Sequence, residues 1–213
     1  MSPNSGRNAR AHYWADGRVH IGHVHLKVAN LERALSFYSG VLGLEVTQRL
    51  GDSAAFLSAG GYHHHIALNT WESLNGVPPP PGATGLYHTA IVYPSRATLS
   101  DALHRVLRAQ IPLQGASDHG VSQSIYLRDP DDNGVELYWD KPKDQWPRTS
   151  DGKLAMYTRT LDLAALLKEA SVDAHIAPAH QTCEPPRASG ETRAHSSRQT
   201  LRTPCDHQRR GRR

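Results

Sequence analysis

From Val19 the chain reads VHIGHVHLKV, apolar and polar residues alternating at the two-residue period of a half-covered strand. The period then changes. In ANLERALSFYSGVLGLEV, residues Leu31, Ala34, Leu35, Tyr38, Val41 and Leu42 fall on one helical face. Asn30 stands where an N-terminal cap belongs, and Gly43 where a helix stops. Short strands are predicted near 44–50, 53–59 and 62–69. WESLNGVPPPPG, residues 71–82, cannot continue a sheet. After it the order repeats. GLYHTAIVYP reads as a strand. Ser95 to Gln110 reads as a helix with Leu99, Leu103, Val106 and Leu107 on one face, and strands follow near 111–115, 122–128 and 134–139.

Two β-α-β-β-β units of this kind are an internal duplication, and they set the expected fold class. It is α+β: two βαβββ repeats forming one mixed-sheet domain, each helix covering one sheet face and the other faces enclosing a metal-containing cleft. The repeats span about 18–70 and 84–140. LDLAALLKEA, 161–170, reads as a terminal helix that closes a domain of residues 18–170. Residues 1–17 are polar and aperiodic. Residues 171–213 are rich in Pro, Arg, Ser and His, with too little apolar content to fold alone, so both ends are expected to be disordered.

Charge sharpens this division. The net charge of +4 resides entirely in 171–213, which holds eight Arg and four acids, while acids and bases balance before it. No aromatics interleave with those arginines as in base-stacking binders, so nucleic acid is not an expected partner. Both cysteines, Cys183 and Cys205, lie in the same segment. The domain therefore offers no disulfide framework, thiolate site or cysteine nucleophile. With no long apolar run and no signal-peptide core, a reducing cytoplasm and no membrane partner are expected.

The candidate chemistry lies in histidines and one acid. His23 and His88 occupy matching places in the first strand of each repeat, and Glu136 sits in the last strand of the second, in GVELYWD. If a pseudo-twofold axis relates the repeats, the first strands lie side by side and His23 faces His88 across the cleft, with Glu136 beside His88. Two imidazoles and a carboxylate on one side of an ion form the facial triad of non-haem Fe(II) oxygen chemistry. His25, on the same face as His23, is its competitor. GGYHHHIALNTW adds His63, His64 and His65. In a strand they alternate between faces, so the run is not itself a three-ligand cluster.

The repeat order, with GHVHLKVANLERALSFY, GGYHHHIALNTW, GLYHTAIVYP and LRDPDDNGVELYWD, resembles the vicinal oxygen chelate superfamily of glyoxalase I, bleomycin-resistance proteins and extradiol dioxygenases. Its catechol 2,3-dioxygenase-like members are the nearest likeness. The stretch from His119 through Ile125-Tyr126 and Asp129-Pro130 to Glu136 follows the extradiol signature, departing from it at Ser117 and Asp132. The resemblance implies Fe(II) at His23, His88 and Glu136, with Mn, Zn or Ni as alternative ions. It implies an acid–base histidine at His64, with His65 as the fallback, and substrate or oxygen contacts from His119 and Tyr126. The implied partners are a small aromatic diol and O2, and the implied role is extradiol ring cleavage in aromatic-compound catabolism. The larger members carry four repeats and this chain two. A homo-oligomer is compatible with all of this. The rival readings are a glyoxalase-like metal-dependent lyase or isomerase, and a non-catalytic binder that sequesters an antibiotic.

Overall fold

The structure, a computed structural model, describes residues 14–169. The expected disorder of 171–213, and of 1–17 up to residue 13, lies outside them. The first module runs β1 (Val24–Lys27), α1 (Leu31–Leu35), β2 (Glu45–Leu50), β3 (Ala54–Ser58) and β4 (Ile66–Asn69). The second runs β5 (Thr89–Tyr93), α2 (Arg96–Arg108), β6 (Leu113–Asp118), β7 (Ser122–Arg128) and β8 (Gly134–Asp140). β9 (Arg159–Thr160) and α3 (Leu163–Leu167) follow.

The caps are where the sequence places them. Asn30 Oδ1 accepts the Arg33 amide at 2.9 Å and opens α1. The helix then widens into a π-helical stretch, Ser36–Val41, whose end is marked by the Leu42 amide donating to Phe37. Gly43, at φ +83°, turns the chain away. Ser95 and Thr98 form a capping box on α2, whose Leu99, Leu103 and Val106 are fully buried. Leu107, expected on that face, is 43% exposed, because at the helix end it falls on the rim of the stripe.

There are two sheets, not one. Their strand orders are β1-β4-β3-β2 and β5-β8-β7-β6-β9. In each module the first and last of the four shared strands pair in parallel, and all other pairings are antiparallel. β1 and β5 each end their own sheet, so the expected side-by-side placement of the first strands is not seen. The modules instead meet through their helices and the turn after β7. The Tyr38 hydroxyl donates to Asp129 Oδ2 at 3.0 Å, and Asp131 Oδ1 accepts the Ala29 amide at 3.0 Å and Arg33 Nη2 at 2.6 Å. Arg105 on α2 donates to the carbonyls of Val41 and Leu42. One hydrophobic cluster runs through both modules, from Leu26 and Leu57 to Ile125, Leu137 and Leu166.

Two further differences bear on function. The strand expected over 62–69 begins only at Ile66. Gly60 and Gly61, both at positive φ, swing the chain off the end of β3, and the Thr47 hydroxyl donates to the His63 carbonyl at 2.8 Å before the ladder resumes. The three consecutive histidines thus sit in an arch, and strand alternation does not govern them. β9, for which no strand is predicted, pairs Thr160 with Ser117 and Arg159 with Asp118 along an edge of the second sheet.

Candidate active site

In the second sheet the core face is apolar: Val135 and Leu137 of β8 and Ile125 and Leu127 of β7 are buried. Alternation puts Tyr126, Glu136 and Tyr138 on the opposite face. The register sets Tyr126 directly across from Glu136. The parallel pairing of β5 with β8 brings His88, one residue before β5, next to Gly134.

A hydrogen-bonded chain results. Glu136 Oε2 lies 2.9 Å from His88 Nε2, and Glu136 Oε1 accepts the Tyr126 hydroxyl at 3.2 Å. His119 Nε2 lies 2.7 Å from the same hydroxyl. Burial, joined by the negative charge of Glu136, pushes the Tyr126 phenol above its ordinary range, so it remains a donor at neutral pH. His88, His119 and Tyr126 line a cavity of about 570 Å³, together with Tyr87, Gln114 and Arg128. That size suits a small ligand. Glu136 stands behind this wall, its side chain 12% exposed.

His23 and His64 belong to the first module. Their rings lie 4.4 Å apart, and the His64 ring also meets Phe56 at 5.0 Å. His63 Nδ1 and His64 Nδ1 are 2.7 Å apart, which requires a proton on one of them. Burial, then the neighbouring imidazoles of His23, His63, His25 and His65, hold the His64 pKa below its ordinary value, which favours the neutral ring at pH 7. His65 turns elsewhere: Ser58 Oγ is 3.1 Å from its Nδ1 and Tyr62 covers its ring. His25, the competitor of His23, accepts from Asn69 Nδ2 at 2.9 Å and packs on Trp71, which ties it into the sheet.

The six expected site residues therefore form two groups, His88, Glu136, Tyr126 and His119 on one sheet and His23 with His64 on the other. Among the described residues no group of three or more His, Cys, Asp or Glu side chains is gathered as a metal site. The His88–Glu136 pair fits part of one. Two adjacent ligands of an octahedral ion with bonds of ~2.1 Å stand ~3.0 Å apart, close to the observed separation. His88 Nδ1 is buried without a partner, an uncompensated state that native interiors seldom tolerate away from functional sites. Sequence reasoning missed what supports this group. Tyr157 and Thr158, which meet the His119 ring, lie far along the chain in a stretch with no periodic signal.

The model of the Glyoxalase/Bleomycin resistance protein/Dioxygenase superfamily matches residues 20–137. A catechol-2,3-dioxygenase of Bacillus subtilis (strain 168) is 41% identical over 152 residues, covering 71% of this chain and 52% of that protein. Biphenyl-2,3-diol 1,2-dioxygenase 2 of Rhodococcus globerulus is 32% identical over 126 residues, covering 55% of this chain and 61% of that one. The chain thus spans about half to three-fifths of the length of these relatives. A glyoxalase/dioxygenase from Nostoc punctiforme shares the fold at a TM-score of 0.51 with 18% identity, over 62% of this chain and 98% of its own. On the family match, the chain belongs to the glyoxalase/bleomycin resistance protein/dioxygenase superfamily.

Proposed function

We propose that the protein is an Fe(II)-dependent extradiol dioxygenase acting on a catechol-type aromatic diol with O2. The observation that carries this reading is the chain His88–Glu136–Tyr126–His119 opening onto a cavity of small-ligand size. The relatives named for catechol and biphenyl-2,3-diol favour a vicinal diol over the substrates of the rival readings.

His88 Nε2 and Glu136 Oε2 would hold the ion, with His23 as the third ligand. His23 lies with the other sheet of its own chain, so we propose that it arrives from a second copy, which makes the working enzyme a homo-oligomer. Bound ferrous iron would lower the pKa of the diol hydroxyls and give electrons a path from the diol to O2.

The protein side chains do the rest. Tyr126, held protonated, would swing its one hydrogen from Glu136 Oε1 to an oxygen of the diol or of O2 once these are bound. His119 fixes that hydroxyl by its Nε2. His64, its ring 4.4 Å from that of His23, would arrive with it from the second copy and serve as the proton acceptor. With its Nδ1–H donated to His63 Nδ1, the Nε2 lone pair would take a proton from the diol and return it to the opened product. Tyr87 and Arg128 border the cavity and limit the ring that enters.

The test is O2 consumption by protein loaded with Fe(II) under anaerobic conditions and then given catechol or substituted catechols. Uptake with a yellow ring-opened product, abolished in His88→Ala and Glu136→Gln, is the expected result. Tight Fe(II) binding with no uptake on any diol overturns it.

A further inference from the structure

The His119 ring is held from behind by the segment that leads into β9. The His119 amide donates to the Ser122 carbonyl at 2.9 Å, and its own carbonyl accepts the Tyr157 amide at 3.2 Å. Its Nδ1 lies 3.2 Å from Thr158 Oγ1 and 3.3 Å from the Tyr157 carbonyl oxygen. The Tyr157 ring presses on Gly120, where a Cβ would stand 2.8 Å from it. The pairing of Arg159 and Thr160 with β6 then pins the segment in register.

Counting protons decides what Thr158 does. The Tyr126 hydroxyl has one hydrogen and gives it to Glu136, so it accepts from His119 Nε2–H. A neutral His119 with its hydrogen on Nε2 has a lone pair on Nδ1, which needs a donor. The Tyr157 carbonyl cannot donate, whereas the Thr158 hydroxyl can. When His119 carries a second proton, Nδ1–H donates instead, and both the carbonyl and the hydroxyl oxygen accept. Only a hydroxyl serves the ring in both protonation states.

We propose that Thr158 is a positioning residue: its hydroxyl donates to His119 Nδ1, fixes the Nε2–H tautomer and aims that hydrogen at Tyr126. The tautomer claim stands on geometry alone, while its consequence for turnover rests on the proposed dioxygenase reading. Thr158 is exposed, so replacing it leaves folding intact.

The experiment is long-range 1H–15N NMR of the full chain labelled at histidine nitrogens, with the His119 signals assigned from His119→Gln. The expected wild-type pattern near pH 8 is a protonated Nε2 and an unprotonated, hydrogen-bonded Nδ1. Thr158→Val should give a mixture of tautomers and Thr158→Ser should restore the single form. In turnover, Thr158→Val should lose roughly 10-fold in kcat with little change in KM, as loss of an outer-shell partner does, and Thr158→Ser should recover it. An unchanged tautomer in Thr158→Val, or no recovery in Thr158→Ser, overturns the proposal. Absence of wild-type turnover on any diol would sink the dioxygenase reading, and the NMR result would still decide the role of Thr158.

Discussion

Gly134 and Tyr87 touch so closely that no side chain fits between them: a Cβ on Gly134 would stand 2.1 Å from the Tyr87 carbonyl oxygen and 3.0 Å from His88 Cβ. The close approach brings the start of β5 against β8 and sets His88 beside Glu136. Gly134→Ala should push the two strands apart at this point. The expected cost is about 2 kcal/mol of stability, as for overpacking elsewhere, with a much larger loss of Fe(II) affinity. Urea unfolding and metal titration of the variant measure the two effects separately.

The proposed third ligand, His23, can be located by complementation. His23→Ala keeps an intact His88–Glu136 pair, and Glu136→Gln keeps an intact His23. Each should be inactive alone. If His23 comes from a second copy, an equal mixture unfolded and refolded together regains about a quarter of wild-type activity, because half the dimers are mixed and each has one whole site. No recovery would put His23 and His88 in the same chain.

Asp118 makes acid sensitivity readable. Burial alone raises its pKa, but Lys141 at 2.7 Å, the Gly120 amide and Gln123 outweigh that and hold it below the ordinary 3.8. A carboxylate depressed in the folded state contributes stability that is present above the unfolded pKa and lost as pH falls through the folded one. Wild type should therefore lead Asp118→Asn in Tm at pH 6, with the margin shrinking below about pH 4. Melting curves between pH 2 and pH 6 give the comparison.

The joint between modules should be sensitive to Asp129. Its two oxygens accept the Tyr38 hydroxyl, the amides of Asp131 and Asn133, and Asn133 Nδ2. Tyr38→Phe should cost about 1 kcal/mol, since Asp129 keeps its other partners. Asp129→Ala strands several donors at once and should cost about 3 kcal/mol. Chemical denaturation at neutral pH ranks the two variants.

Much of this was legible in the chain. The duplicated order, the Asn30 cap and the two faces of β8 follow from short-range pattern, which is why Glu136 could be singled out among Val135, Leu137 and Trp139. The matching places of His23 and His88 carry through as well, each one residue ahead of its strand. Three things were not legible. The arch at His63–His65 depends on backbone turns at two glycines that look like ordinary strand neighbours. β9 and Thr158 act through pairing with residues far away in sequence, and a two-residue strand has no period to detect. How the two modules meet rests on contacts between residues far apart in sequence, such as Tyr38 with Asp129 and Arg105 with Val41, and nothing in the local pattern distinguishes that from a side-by-side placement of the first strands.

The parallel pairing of β5 with β8 has a consequence for biosynthesis. His88 and Glu136 lie on either side of α2, β6 and β7, and only the last strand of the module brings them together. Antiparallel neighbours can zip from a hairpin, but this contact must close a long loop, which makes it a late and slow event. A nascent or nicked module that lacks β8 therefore holds no histidine–carboxylate pair. Under the proposed function the pairing would act as a proofreading step, since an ion able to activate oxygen would find its seat only in a chain that has finished folding.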